Sequence, residues 1–115
     1  MRQTDLTYLK DLSSGNNEFV REMVTIFLEE TPAALKQLQK HLKNGDLKQL
    51  SAVAHKMKPS VYFMGIKKLE ATMARLENSA NTEIPHADLT EMVEEVIKIA
   101  NEGMLELNNL VKMAS

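Results

Sequence analysis

Among the three histidines of the chain, His55 has the surroundings of a reactive group. It lies in residues 47–65, LKQLSAVAHKMKPSVYFMG. Leu47, Leu50, Ala54, Met57, Val61 and Met64 recur there at three- and four-residue steps. That period places them on one stripe of an α-helix and turns the stripe towards a core. His55 follows Ala54, so it sits ~100° further round the helix. Its neighbours three, four or seven residues away are Lys48, Ser51, Ala52, Lys58, Pro59 and Tyr62. The imidazole therefore projects from the solvent side among mostly small residues, with lysines on either side along the axis and no acid on its own helix. Two readings compete: a solvated surface histidine, and a nucleophile that accepts a phosphoryl group.

The second reading makes demands on the neighbours. A neutral imidazole attacks phosphorus through one nitrogen while the other keeps its proton. An acceptor near Nδ1 fixes that tautomer, leaves Nε2 free and stabilises the positive charge developing on the ring. The phosphoryl group is anionic, and Lys58, one turn along, is placed to stabilise its oxygens. Lys48 contributes at longer range, and Ser51 or Ser60 offers a hydrogen bond. The acceptor is expected from the next helix. Gly65 turns the chain back on itself, with His55 ten residues before it and Glu77 twelve after it. At a rise of ~1.5 Å per residue these lie ~15 and ~18 Å from the corner, nearly level. Glu77 follows a core position, Leu76, as His55 follows Ala54, so both fall on one flank of the helix pair. Taken singly, Lys58 reads as a solvated flank residue and Glu77 as a surface carboxylate; with His55 they read as a site.

The elements that must position this trio are helical. Thr4 is the expected N-cap of a short helix carrying Leu6, Leu9 and Leu12, closed by Ser13–Asn16 with Gly15 in the left-handed conformation. Asn16 or Asn17 caps the next helix, with Glu18 in its first turn. Phe19, Val20, Met23, Val24, Ile26, Phe27 and Leu28 give it a wide apolar face. Leu35, Leu38 and Leu42 continue that face past Pro32, so one helix bent at Pro32 is expected. His41 faces away from these leucines and reads as solvated surface. Gly45 ends the helix and Asp46 caps the central one, which is expected to bend at Pro59 and run to Met64. Ile66, Leu69, Met73, Leu76 and Ala80 form the next stripe. Ile84-Pro85 confines the start of the last helix, whose stripe is Leu89, Val93, Val96, Ala100, Gly103, Leu107 and Leu110; Gly103 suggests a close approach or a weak point. The terminal Ala114-Ser115 should fray. The expected fold is all-α, an antiparallel four-helix bundle with a short N-terminal lid helix, formed by residues 1–115 as a single domain.

Composition agrees and excludes alternatives. The chain has 115 residues, 43% hydrophobic and 26% charged, with four glycines and three prolines. That is an ordinary globular composition with too few turns for an all-β fold. Three Phe, two Tyr, no Trp and eight Met imply an aliphatic core with methionine filling its gaps. A net charge of −2 with scattered lysines leaves no footprint for nucleic acid. No apolar run approaches the ~18–20 residues of a membrane span. The first residues lack a signal peptide's apolar region, and zero cysteines fit a reducing cytosol, so a cytoplasmic chain is expected. His41, His55 and His86 lack ligand spacing, so neither a metal nor another cofactor is expected.

His55-Lys56-Met57-Lys58-Pro59-Ser60, with Gly65 ten residues after the histidine, resembles the histidine phosphotransfer (HPt) domain of two-component phosphorelays. That family's pattern runs His-x-hydrophobic-Lys-Gly-Ser. The resemblance covers nearly the whole chain and includes the run Phe27-Leu28-Glu29-Glu30-Thr31-Pro32. It implies a phosphohistidine at His55, Lys58 assisting the phosphoryl group and Glu77 orienting the ring. It also makes Lys48, Ser51, Ala52, Pro59, Ser60 and Tyr62 the docking surface. The implied partners are a response-regulator receiver domain, which supplies the catalytic Asp and Mg²⁺, and a sensor or hybrid histidine kinase. With no Gly-rich phosphate loop, the chain is a phosphocarrier and not an autonomous enzyme; a monomer is expected. The family usually has Gly where this chain has Pro59, whose bulkier ring alters docking. The alternatives are a helical adaptor (a degenerate HPt domain) that binds receivers without carrying phosphate, and the substrate domain of a chemotaxis-type kinase. A free-standing protein or terminal module is expected over the latter.

Overall fold

The computed structural model describes residues 2–114, with side chains to Lys112. Five α-helices account for its architecture: α1 (Thr7–Leu12), α2 (Asn17–Asn44), α3 (Leu47–Phe63), α4 (Lys67–Glu77) and α5 (His86–Ala114). A 3₁₀ turn, Asn78–Ala80, extends α4, and no strand occurs among the described residues. Helix α2 packs on α3, α3 on α4, α4 on α5 and α5 back on α2, which closes an antiparallel four-helix bundle. The molecule is 44 Å long and about half as wide. At ~1.5 Å per residue α5 alone accounts for that length, whereas α3 and α4 span only ~25 and ~17 Å. Beyond the α3–α4 corner the bundle is short of helices, and α1 with the segment before it lies there as the lid.

Each helix end has its local cause. Asn16 Oδ1 accepts the Phe19 N–H at 3.1 Å, and Asp46 Oδ1 accepts that of Gln49 at 3.2 Å, so α2 and α3 begin on side-chain caps. Gly15 and Gly45 take φ of +82° and +67°. Helix α2 runs unbroken through Pro32, and α3 through Pro59. The apolar face continues past both prolines and its burial outweighs one lost helical hydrogen bond each. Leu9, Leu38, Leu50, Met64, Ile66, Leu69, Met73, Leu76 and Leu107 are fully buried, an aliphatic and methionine core.

Several expectations need correction. Thr4 is not the cap of α1. Its N–H and hydroxyl both donate to Glu106 Oε1 (3.0 and 2.9 Å), while Asp5 Oδ1 accepts the Thr7 N–H. Leu12, Leu47 and Leu110, each at or near the end of its helix, are exposed, and Ile26 is exposed beside the α2 face. Ala80 points outward and Ser79 inward, since the tighter 3₁₀ turn shifts the phase. The Ser79 hydroxyl then donates to the Leu76 carbonyl at 2.6 Å. His41 is half-buried, not fully solvated. Of the pair expected to fray, Ala114 is helical and Ser115 lies outside the described residues.

The corner between α3 and α4 is the tightest point. Gly65 has φ +66°, and a Cβ on it would stand 2.1 Å from the Asp5 carbonyl oxygen. The Asp5 N–H donates to the Met64 carbonyl at 3.0 Å, tying the N-terminal segment into the corner. Gly103 is close-packed too: its Cβ would meet Ile66 Cδ1 and Thr4 Cγ2 at 3.3 Å. Gly45 offers a control, having the same φ with nothing within 4 Å. Gly45→Ala should cost about 1–2 kcal/mol, the left-handed penalty alone. Gly65→Ala should cost more, because Asp5 must also move. Urea unfolding of both variants measures this, and equal losses would show that the N-terminal segment is not held against the corner.

Candidate functional site

Helix α3 presents one stripe of its outer flank to the end of α4. Ser51, His55 and Lys58 stand at i, i+4 and i+7, so their side chains lie in a row along the axis. All three meet Glu77, the last residue of α4. His55 Nδ1 lies 3.3 Å from Glu77 Oε2, Lys58 Nζ lies 3.2 Å from the same oxygen, and the Ser51 hydroxyl donates to the Glu77 main-chain carbonyl. Oε2 is shielded from solvent, and neither contact has hydrogen-bond geometry. They are a loose ion-pair cluster.

Exposure differs sharply within the cluster. The His55 side chain is 75% exposed and that of Glu77 27%. The carboxylate therefore forms the inner wall against Nδ1, while the far edge of the ring, Nε2, looks outward with no hydrogen bond or ion pair. An imidazole held this way presents an outward nucleophilic nitrogen once Nδ1 keeps the proton. The Glu77 carboxyl is held below its ordinary value of 4.5, first by the neighbouring Lys58 ammonium, with burial opposing and His55 adding to it. Its folded value being the lower one, the contact is complete above the ordinary value and is lost as pH falls through the lowered one.

The remaining expected site residues are distributed as follows. Lys48 is exposed two turns before His55, ~10 Å along the axis, and does not reach Glu77. Ser51 is half-buried and its hydroxyl is already engaged, so it is not free for a phosphoryl oxygen. Ala52 and Pro59 are exposed, and Ser60 is half-buried. Tyr62 is half exposed and is braced from the lid, with Tyr8 edge-on to it at 5.0 Å.

Beside His55 lies a groove of about 550 Å³, walled on the α3 side by Lys58, Pro59 and Tyr62. Its α4 wall, made of Glu70, Met73 and Ala74, was not anticipated. The signal was present: Glu70 and Ala74 precede Glu77 by seven and three residues and so share its stripe. Among the described residues no three His, Cys, Asp or Glu side chains converge to hold a metal ion, and no helix is long and apolar enough to cross a membrane.

Residues 22–113 match the family model described as the Hpt domain. A curated relative, multistep phosphorelay regulator 1 of Schizosaccharomyces pombe, is 32% identical over 62 residues, which are 54% of this chain and 21% of that protein. The chain thus spans about a fifth of that relative's length. No solved structure matches it.

The ordering of influences on Glu77 is measurable. In a carboxyl-detected NMR titration, Lys58→Met should move the Glu77 midpoint up towards 4.5, and His55→Gln should move it less. A larger rise with His55→Gln would show that the imidazole, not the ammonium, is the main partner of the carboxylate.

Proposed function

The chain belongs to the Hpt domain family, and from that premise we propose that it is a single-domain, monomeric phosphocarrier of a cytoplasmic phosphorelay, with His55 as its phosphoryl acceptor. The observation that carries this is the 3.3 Å approach of Glu77 Oε2 to His55 Nδ1 on a ring otherwise open to solvent. The partner is a response-regulator receiver domain bearing an aspartyl phosphate, and a sensor or hybrid histidine kinase feeds the relay.

The Nε2 lone pair attacks phosphorus from the side opposite the aspartyl oxygen, and the P–O bond to that oxygen breaks. The partner's carboxylate leaves with the electron pair, and the N–P bond forms. Nδ1 keeps its proton throughout, so the product ring carries positive charge against Glu77. Lys58 turns from Glu77 to the phosphoryl oxygens as their charge approaches Nε2. Reversal returns the group to an aspartate, so the geometry serves transfer in both directions. The partner's Mg²⁺ and acidic residues remain on the partner, and this chain needs no cofactor. Lys48, Ala52, Pro59, Ser60 and Tyr62 form the surface on which the partner seats.

The reading is tested by label transfer from phosphorylated receiver domains. His55→Gln should abolish acid-labile, base-stable label while leaving the fold intact, whereas His41→Gln and His86→Gln should label normally. Glu77→Ala should slow transfer by roughly ten- to a hundredfold, the lower range for acid–base assistance. Label persisting on the His55 variant would overturn the assignment. Receiver binding with no label on the wild-type chain would establish the adaptor reading instead.

A further inference from the structure

Glu77 sits where a helix ordinarily loses control of its chain. It is the last residue of α4, and the last carbonyls of a helix have no partner within it. Here they are taken individually. The Asn78 N–H donates to the Ala74 carbonyl, the next N–H and the buried Ser79 hydroxyl donate to that of Leu76, and the Glu77 carbonyl receives the hydroxyl of Ser51. The last of these differs in kind, because it comes from another helix, and from one turn before His55.

The carbonyl and the carboxylate of Glu77 pivot on the same Cα. A bond from α3 to the carbonyl, together with the contacts of α3 to the carboxylate, fixes the residue at both ends. Without the first, the join between α4 and the 3₁₀ turn can rotate about Glu77, and Oε2 moves relative to Nδ1. The approach stands at 3.3 Å without hydrogen-bond geometry, so a small rotation decides whether the carboxylate can meet Nδ1. Ser51 and His55 are four residues apart on one helix and move as one body. The serine therefore keeps Glu77 in register with the ring it serves.

We propose that Ser51 is a positioning residue for phosphoryl transfer, holding Glu77 by its main chain so that the carboxylate meets Nδ1 of His55; the proposal rests on the phosphocarrier reading above. It acts through Glu77 and does not touch the phosphoryl group.

The test uses the full chain, with phosphoramidate as a small donor of known chemistry. Ser51→Ala should lower the initial rate of His55 labelling by roughly three- to tenfold, less than the ~10²-fold that a full ångström of misplacement costs. Ser51→Thr, which restores a hydroxyl, should recover at least half of the loss. In a Glu77→Ala background Ser51→Ala should have no further effect, since the serine then has no carboxylate to place. The ¹⁵N shifts of His55 in the unphosphorylated protein give an independent readout: Ser51→Ala should reduce the population with the proton on Nδ1. Wild-type shifts and rate in Ser51→Ala, or an equal rate loss with and without Glu77, would overturn the proposal. Absence of label on wild-type His55 would instead overturn the phosphocarrier reading, and the ¹⁵N comparison would still decide the role of Ser51.

Discussion

The corner at Gly65 is the constraint on which the rest depends. Two helices leaving one corner behave as rigid rods, so the count of residues from it fixes which side chains stand level. His55 and Glu77 meet because the corner is tight enough for ten residues on one rod to match twelve on the other, with both side chains on the same flank. Tightness has two sources. Gly65 adopts φ +66°, which side-chain-bearing residues avoid, and the Asp5 carbonyl fills the space where a Cβ would stand. The second source links the N-terminal segment to the site. Asp5 is bonded to the Met64 carbonyl, and Gln3 and Thr4 are bonded to Glu106 of α5. The segment is thereby strapped from the corner at the end of α3 to α5, and one residue more or less at the corner would swing Glu77 ~100° away from the ring.

Electrostatics then works within that register. One oxygen of Glu77 faces both an ammonium and an imidazole nitrogen, and the ammonium is the stronger influence on its ionisation. Lys58 is 43% exposed, and solvent-screened ion pairs of this kind hold their partners only weakly. In the proposed transfer that weakness is useful. A tightly bound lysine would resist leaving the carboxylate for the incoming phosphoryl oxygens. A lysine on a flexible stem, loosely held at 3.2 Å, exchanges one anion for another at little cost. Glu77 stays behind with the Nδ1 proton.

Much of this was legible in the sequence, and the limits are physical. Three- and four-residue periods gave the helices, because burial of an apolar stripe decides helix formation in a bundle. Counting from Gly65 paired His55 with Glu77 for the same reason: helical rise is nearly invariant. The stripe ends at Leu12, Leu47 and Leu110 are exposed, since periodicity marks a face but not how far along it burial extends. Thr4 matches the pattern of an N-cap, yet its hydroxyl is bonded to Glu106, 102 residues away; local pattern carries no information about such a partner. Ser51 shows the same limit from the other side. Its place on the flank of His55 was evident, but a bond to a main-chain carbonyl leaves no trace in the identity of the residue that accepts it.

Pro59 is where local and tertiary preferences conflict beside the site. It has no N–H for the carbonyl of His55, four residues earlier, and it disfavours helical geometry at Lys58. A loop at that point would release Lys58 from Glu77 and dissolve the row of Ser51, His55 and Lys58. The helix nevertheless continues, because Val61 and Met64 lie beyond the proline on the same stripe and are 2% and 1% exposed. Burying two such side chains is worth about 1.5–3 kcal/mol each, comparable with the ~3 kcal/mol that a proline costs a helix interior. The proline stands on the exposed face, where the freed carbonyl can be hydrated, so the cost stays near the lower end. A partner approaching His55 therefore meets a rigid apolar edge made by Pro59 and the lid-braced Tyr62, in place of the accessible backbone that a glycine would give. The residue that most strains the helix thus shapes the surface beside His55, and it is tolerated because the opposite side of the same turn is packed into the core.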